Sequence, residues 1–183
     1  MPPAGTQRNP KPVPRNIFTL SAIAALGLAA MPGIALALQK SLKEQIIGTW
    51  ALVSAETISS NGSKVQSFGP NPKGMAIFEA NGHYMQLNLS STLPKFASRN
   101  RATGTADESK AVVQGSVGHY GTWTIDEAAK TVTQHLDAGT SAFQDGDDQK
   151  RPITTLTLDD LVLTNPVSGA GGGSTVFTFK RVK

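Results

Sequence analysis

The sequence predicts an all-β protein, a small antiparallel β-barrel of about eight strands, and three observations support this class. Short segments alternate apolar and polar residues, as strands with one buried face do. Tight-turn dipeptides, Asn61-Gly62 and Asn81-Gly82, separate several of these segments. The glycine-tryptophan segment Gly48–Glu56 also has a counterpart in the second half, Gly121–Ile125. About eight strands close a barrel with room for one small ligand.

Length and composition limit the possible functions. The 183 residues accommodate one domain and a leader. The formal net charge is +4, but Arg8, Lys11 and Arg15 precede Leu38, and without them 14 basic residues face 13 acidic ones. A domain of charge +1 lacks the concentrated basic face that nucleic-acid binding requires. The absence of cysteine excludes disulfides, thiolate nucleophiles and cysteine zinc sites.

Residues 1–37 have the pattern of a secretory signal peptide. Basic residues precede the apolar run Ile17–Ala30, a Pro-Gly pair follows, and Ala35-Leu36-Ala37 offers small side chains for cleavage. We therefore expect export to the periplasm or the medium, with residues 38–183 as the folded domain and no stable membrane insertion after cleavage. The alternative is a retained anchor, because residues 17–38 are nearly long enough to span a bilayer.

The elements of the domain follow in order. Leu38–Ile47 predicts a short helix, because its apolar residues share one face. A second, inserted helix begins after Thr105, an N-cap followed by acidic residues, and ends near Gly115 or Gly118. The polar, acidic segment 137–151 predicts a mobile loop. The predicted strands are Thr49–Ser59, Val65–Phe68, Met75–Ala80, His83–Leu89, His119–Ile125, Thr131–Leu136, Ile153–Leu158, Leu161–Asn165 and Thr175–Val182.

A set of motifs occurs in order between Leu42 and Val182. They are Gly48-Thr49-Trp50, Gly69-Pro70-Asn71-Pro72-Lys73-Gly74, Phe96–Arg99 with Gly104-Thr105, Tyr120–Trp123 with Asp126, Thr131–His135, and a last strand containing Arg181. In these motifs the chain resembles the bacterial and fungal lipocalin-like domain family. The resemblance implies a small antiparallel barrel around a central cavity. Some fungal relatives are terpenoid isomerases or cyclases, but no acidic pair can be placed here in such an active site.

The resemblance also implies that one barrel end is closed by Gly48, Trp50 and Arg181, with the guanidinium packed over the indole. Such a contact stabilises a fold by about 0.5–2 kcal/mol. Ligand stacking on Trp50 is the alternative. The structural role is favoured because Phe177, Phe179 and Arg181 share one strand face.

Two groups of polar residues are candidates for ligand binding. Tyr84, Gln86 and Asn88 form one face of a predicted strand, and this face either lines the interior or contacts solvent. His119 and His135 lie on paired strands, and symmetric pairing would bring them close together. With Tyr120, they are candidate ligand-binding residues and the candidate acid–base residues of an enzyme.

Other charged residues are less informative. No metal site is predicted, because the carboxylates near the histidines lack a recognised ligand spacing. Arg99 and Arg101 either meet an anionic ligand at the barrel mouth or are solvated.

The favoured function is an exported barrel that binds a small hydrophobic or amphipathic molecule in its cavity without a cofactor. The sequence contains no phosphate-binding loop, nucleotide fingerprint, serine-hydrolase elbow or HExxH motif, so binding is favoured over catalysis. Two alternatives stay open. One is a cofactor-free isomerase or cyclase acting on a small terpenoid-like or carbonyl substrate in the same cavity. The other is a ligand-free structural domain of the cell envelope.

Overall fold

The computed structural model describes residue 1, residues 40–168 and residues 172–183. The predicted signal peptide, residues 1–37, lies outside the described residues except for its first position. Within the described ranges, no helix has the length and hydropathy needed to cross a membrane.

Strands dominate the described part of the chain. The helices are α1 (Leu42–Ile46) and α2 (Ala106–Gly115), with single 3-10 turns at Arg101–Thr103 and Ala142–Gln144. The strands are β1 (Gly48–Ile58), β2 (Lys64–Gln66), β3 (Lys73–Phe78), β4 (His83–Leu89), β5 (Ser116–Asp126), β6 (Thr131–Gly139), β7 (Asp148–Leu156), β8 (Asp160–Asn165) and β9 (Ser174–Arg181).

The strands form one antiparallel sheet that closes on itself. Their order is β2-β1-β3-β4-β5-β6-β7-β8-β9, and β1 also pairs with β9. On the edge of β1 that faces away from β9, the two ends of the strand have different partners. Gly48–Ala51 pairs with β3, and Glu56–Ile58 pairs with the short β2. Eight strands therefore make the barrel and β2 extends one edge of it. The predicted all-β barrel of about eight strands is confirmed.

The segment 137–151 was predicted as a mobile loop, and that prediction is wrong at both ends, whereas residues 140–147 do connect two strands. β6 continues to Gly139 and β7 begins at Asp148, with His135 opposite Asp148 and Gln134 opposite Gln149. The two ends are polar and yet form strands, because their inward side chains pack inside the barrel and their acidic residues point outward. Arg151, for example, is only 2% exposed.

An apolar core fills the barrel half that lies under α1. Trp50 is fully buried, and its indole nitrogen donates to the carbonyl of Ile46, 2.7 Å away. Glu127, in the β5–β6 turn, accepts hydrogen bonds from the amides of Leu42 and Lys43 and so fixes the start of α1. The other large buried side chains of this half include Phe78, Trp123, Leu161, Leu163 and Phe179.

Arg181 joins both ends of the described domain at this closed end. Its guanidinium carbon lies 4.0 Å from the centroid of the Trp50 ring. Its nitrogens donate to the carbonyls of Gln45, Ile47 and Leu158 at 2.6, 2.8 and 2.6 Å. Gly48 makes room for it, because a Cβ at that position would lie 2.7 Å from Arg181 Nη1 and the φ angle is +131°. The closure implied by the resemblance is therefore present.

The variant Arg181→Ala is expected to lower the free energy of unfolding by about 3 to 5 kcal/mol, because three carbonyls lose a charged donor and the indole loses its cation. Urea denaturation measures this. Lys180→Ala is the matched control: its ion pair with Asp160 is exposed, so a loss below about 1 kcal/mol is expected. Equal losses in the two variants would show that Arg181 does not hold the barrel end.

Candidate functional site

A cavity of about 500 Å³ occupies the barrel end opposite the Trp50–Arg181 closure. The pairing of β1 with β9 defines the two ends, because Trp50 lies opposite Arg181 whereas Thr57 lies opposite Thr175. Thr57 and Thr175 line the cavity. The barrel is therefore closed at one end of the β1–β9 pair and hollow at the other end.

Five apolar side chains line the walls and the mouth of the cavity between polar ones. Val117 and Phe177 line it from the barrel strands, Phe68 from the turn after β2, and Val113 and Phe143 from the two segments at the mouth, α2 and the 3-10 turn after β6. Val113 and Phe143 are 76% and 79% exposed.

The start of α2 is fixed by hydrogen bonds at its N-terminus. The Thr105 hydroxyl accepts from the Glu108 amide, and the Glu108 carboxylate accepts from the amides of Thr105 and Ala97. These bonds hold the Glu108 pKa below its ordinary value. The helix predicted after Thr105 is confirmed, and it places Val113 at the cavity mouth.

The inward faces of β4, β5 and β7 give the cavity a polar floor. Alternation along β4 buries Tyr84, Gln86 and Asn88 while leaving Met85 45% exposed, so this polar face lines the interior. The floor residues are Tyr84, Gln86, Asn88, His119, Gln149 and Arg151. Of these, Asn88, His119, Gln149 and Arg151 line the cavity itself.

The floor residues form hydrogen-bonded groups. The Tyr84 hydroxyl and His119 Nδ1 are 3.0 Å apart. Arg151 Nη1 donates to Gln86 Oε1 at 3.2 Å, Arg151 Nη2 donates to Gln149 Oε1, and the Gln86 amide nitrogen lies 3.4 Å from Asn88 Oδ1. The arrangement crosslinks three strands beneath the cavity.

Arg151 is a buried cation. Its guanidinium carbon lies 5.4 Å from the centroid of the Phe177 ring. In the part of the chain that the structure describes, it forms no ion pair with a carboxylate, and its Nε has no hydrogen-bond partner. Burial lowers the pKa of Arg151 to about 10, so the side chain is charged at neutral pH.

Tyr84 and His119 are neutral at neutral pH. Burial, with a smaller contribution from the Arg151 charge, lowers the pKa of His119 to about 3. Burial raises the pKa of Tyr84 above its ordinary value. A neutral imidazole can donate and accept a hydrogen bond, so His119, which lines the cavity and is hydrogen-bonded to Tyr84, can bind the polar group of a ligand.

The structure brings four of the six sequence-predicted ligand-binding residues together: Tyr84, Gln86, Asn88 and His119. The other two, Tyr120 and His135, lie on the outer face of the wall. Tyr120 is 53% exposed, and His135 pairs with Asp148 at 2.8 Å. Since side chains alternate along each strand, His119 points inward from β5 and His135 points outward from β6. The expected approach of the two histidines does not occur.

Sequence reasoning missed Arg151 and Gln149. Their signal was present as a two-residue alternation: Gln149, Arg151 and Ile153 point inward, whereas the intervening residues point outward. Arg99 and Arg101, which were considered for the barrel mouth, are exposed beside a separate shallow pocket with Phe96. Across residues 40–168 and 172–183, no cluster of three or more histidine or carboxylate residues is placed to hold a metal ion.

The lowered pKa of His119 predicts a loss of stability in acid. Between the folded pKa of about 3 and the ordinary value of 6.5, the unfolded chain binds a proton that the folded protein does not. The free energy of unfolding should therefore fall as the pH drops, with His119 contributing about 2 to 3 kcal/mol between about pH 7.5 and pH 4.5. Urea denaturation of His119→Gln should show a smaller pH dependence by this amount. Identical pH dependences would contradict the assignment.

A known protein family matches the barrel domain. The model of the lipocalin-like domain family matches residues 47–182. Among solved structures, the chain is similar to a lipocalin-like protein from Bacteroides uniformis, at 13% identity, with 75% of this chain and 99% of that chain covered and a TM-score of 0.41. It is also similar to a redesigned β-barrel, at 11% identity, with 79% and 100% covered and a TM-score of 0.41. No curated protein matches the chain. The family match spans most of the chain, and the protein belongs to the lipocalin-like domain family.

Proposed function

We propose that this protein binds one small amphipathic molecule in its barrel cavity. The observation that carries the proposal is the cavity itself, about 500 Å³ of space whose lining combines five apolar side chains with a larger number of polar ones. Small-molecule sites commonly occupy about 300–1,000 Å³ and combine apolar contacts with polar groups that orient the ligand. A structural domain with a filled core needs no such space, so the cavity favours binding over the ligand-free alternative.

The distribution of polar groups gives the ligand an orientation. Its polar end would meet Arg151, His119 and Asn88 on the floor, and its apolar part would contact Phe177 and Val117 on the walls. The exposed Phe143 and Val113 at the mouth would cover the apolar end. Burial of this apolar surface would supply most of the affinity.

The pattern of residues 1–37 supports export, so we place this binding function in the periplasm or outside the cell. A barrel that encloses an apolar molecule in an aqueous compartment keeps it from aggregating or partitioning elsewhere.

A second candidate, a cofactor-free isomerase, is favoured by one observation. Tyr84 and His119 are hydrogen-bonded to each other next to the buried charge of Arg151. An imidazole with a pKa near 3 is a weak base, but its N–H can polarise a substrate carbonyl, and a guanidinium can stabilise the oxyanion that forms as a solvent water takes the proton from the neighbouring carbon. Catalysed exchange of deuterium from D₂O into unsaturated carbonyl compounds, lost in His119→Gln, is the expected result. If the native protein catalyses no exchange, the isomerase candidate is excluded and only the binding function remains.

Blocking the cavity tests the proposed binding function. We expect the native protein to bind the uncharged fluorescent probe N-phenyl-naphthylamine and the variant Val117→Trp to bind it at least about tenfold more weakly, because the indole would occupy the cavity. Fluorescence titration measures both affinities.

The matched control is Thr122→Trp, which places the same side chain on the exposed face of the same strand. Its affinity for the probe should equal that of the native protein. Equal binding by Val117→Trp, or no binding by the native protein, would refute the proposal.

A further inference from the structure

We infer that the cavity selects a carboxylate: the ligand is an amphipathic monocarboxylic acid whose carboxylate pairs with Arg151 and whose apolar chain extends toward the mouth. This inference rests on the proposed binding function and adds the chemical class and the orientation of the ligand.

The first step is the charge balance of the cavity. Of the described residues that line it, Arg151 alone carries a full charge at neutral pH, and none is Asp, Glu or Lys. Arg151 is 2% exposed and its two hydrogen-bond acceptors are neutral amide oxygens. A buried cation without an anion is unfavourable, and an anionic ligand would supply the missing charge.

The second step is the number of donors that remain. A guanidinium has five N–H groups, and Gln86 and Gln149 accept from one each. Nε has no partner among the described residues. These two amides hold the plane of the guanidinium in place while leaving N–H groups for a further acceptor. A planar fork of this kind matches the two oxygens of a carboxylate.

The third step is the number of charges. One guanidinium balances one negative charge, whereas a phosphate carries nearly two at neutral pH and would leave excess charge buried. A cationic headgroup would meet the like charge of Arg151. The other polar groups near it are neutral: Asn88 and Gln149 line the cavity with amide groups, and His119 lines it with an uncharged ring. A monoanion with a small headgroup fits this set.

The fourth step is the direction of the chain. Arg151 lies at the floor, next to the level of Ile153 in the apolar core. Phe143 and Val113, which are both strongly exposed, line the cavity at the mouth. A carboxylate on Arg151 therefore directs the apolar chain outward along aromatic and aliphatic side chains.

Three ligands with the same chain and different headgroups test this inference. Decanoate, decanol and decylamine are each titrated against the native protein holding N-phenyl-naphthylamine, at neutral pH. We expect decanoate to displace the probe at a concentration at least about tenfold lower than decanol, and decylamine to be the weakest.

Arg151→Met and Lys150→Met form the matched pair of variants. Both remove one positive charge from adjacent positions of β7, but Lys150 points to solvent. Arg151→Met should lose the preference for decanoate over decanol while still binding decanol, and Lys150→Met should keep the native preference. Circular dichroism checks the fold of each variant. If Arg151→Met does not fold, Arg151→Lys replaces it, and its loss of the planar fork should reduce the preference.

The outcomes separate this inference from the proposed function. Suppose that the native protein binds the probe, but binds decanol as tightly as decanoate or prefers decylamine. The carboxylate inference is then overturned and cavity binding stands. If decanoate is preferred equally by native protein and a folded Arg151→Met variant, Arg151 is not the anchor. If neither the probe nor any of the three ligands binds, the proposed function itself fails.

Discussion

The pairing of the first strand with the last is the constraint on which the rest of the structure depends. β1 and β9 are far apart in sequence, so their pairing costs more chain entropy than any hairpin in the barrel. Arg181 stabilises that pairing at the closed end by donating to carbonyls before β1 and before β8, and by covering the Trp50 ring. Without this closure the sheet would have two open edges and no enclosed interior.

Because one end of the barrel is packed with apolar side chains, the other end can be hollow and polar. The half under α1 buries two tryptophans and several phenylalanines and leucines, and the burial of this apolar surface stabilises the domain. The opposite half can therefore contain polar side chains that contribute little to stability. Gln134, which lies opposite Trp123 and does not line the cavity, is also fully buried, and both of its side-chain polar atoms are without a partner among the described residues, so it costs stability.

Local patterns were sufficient to predict most of the fold. The Asn81-Gly82 turn and the alternation on either side predict the β3–β4 hairpin, because a tight turn and a buried face together set the register. The Trp50–Arg181 contact is non-local, and it was available only through the family resemblance. The extent of β6 and β7 was missed because acidic outward residues concealed the inward alternation of Gln149 and Arg151.

The candidate site was less predictable, because a barrel wall has two faces that alternation alone does not distinguish. Tyr84, Gln86 and Asn88 would give the same pattern on a solvated face. His119 and His135 look equivalent in sequence, but closure of the barrel places one inside and the other beside Asp148 on the surface. Which face is buried depends on all eight strands together, so it is a property of the closed sheet and not of any single strand.

Arg151 is the residue whose burial is least explained by a contribution to folding stability. Its guanidinium lies near the Phe177 ring, and Ile153, two residues later in β7, belongs to the apolar core. An apolar side chain would therefore suit the position of Arg151. Replacing buried ionic groups with apolar ones is often neutral or stabilising. Gln86 and Gln149 are oriented by Arg151 and carry no charge of their own, so the folded chain solvates this cation only in part. Because Arg151 is a buried cation that lines the cavity at the open barrel end, the proposed anionic ligand accounts for it better than packing does.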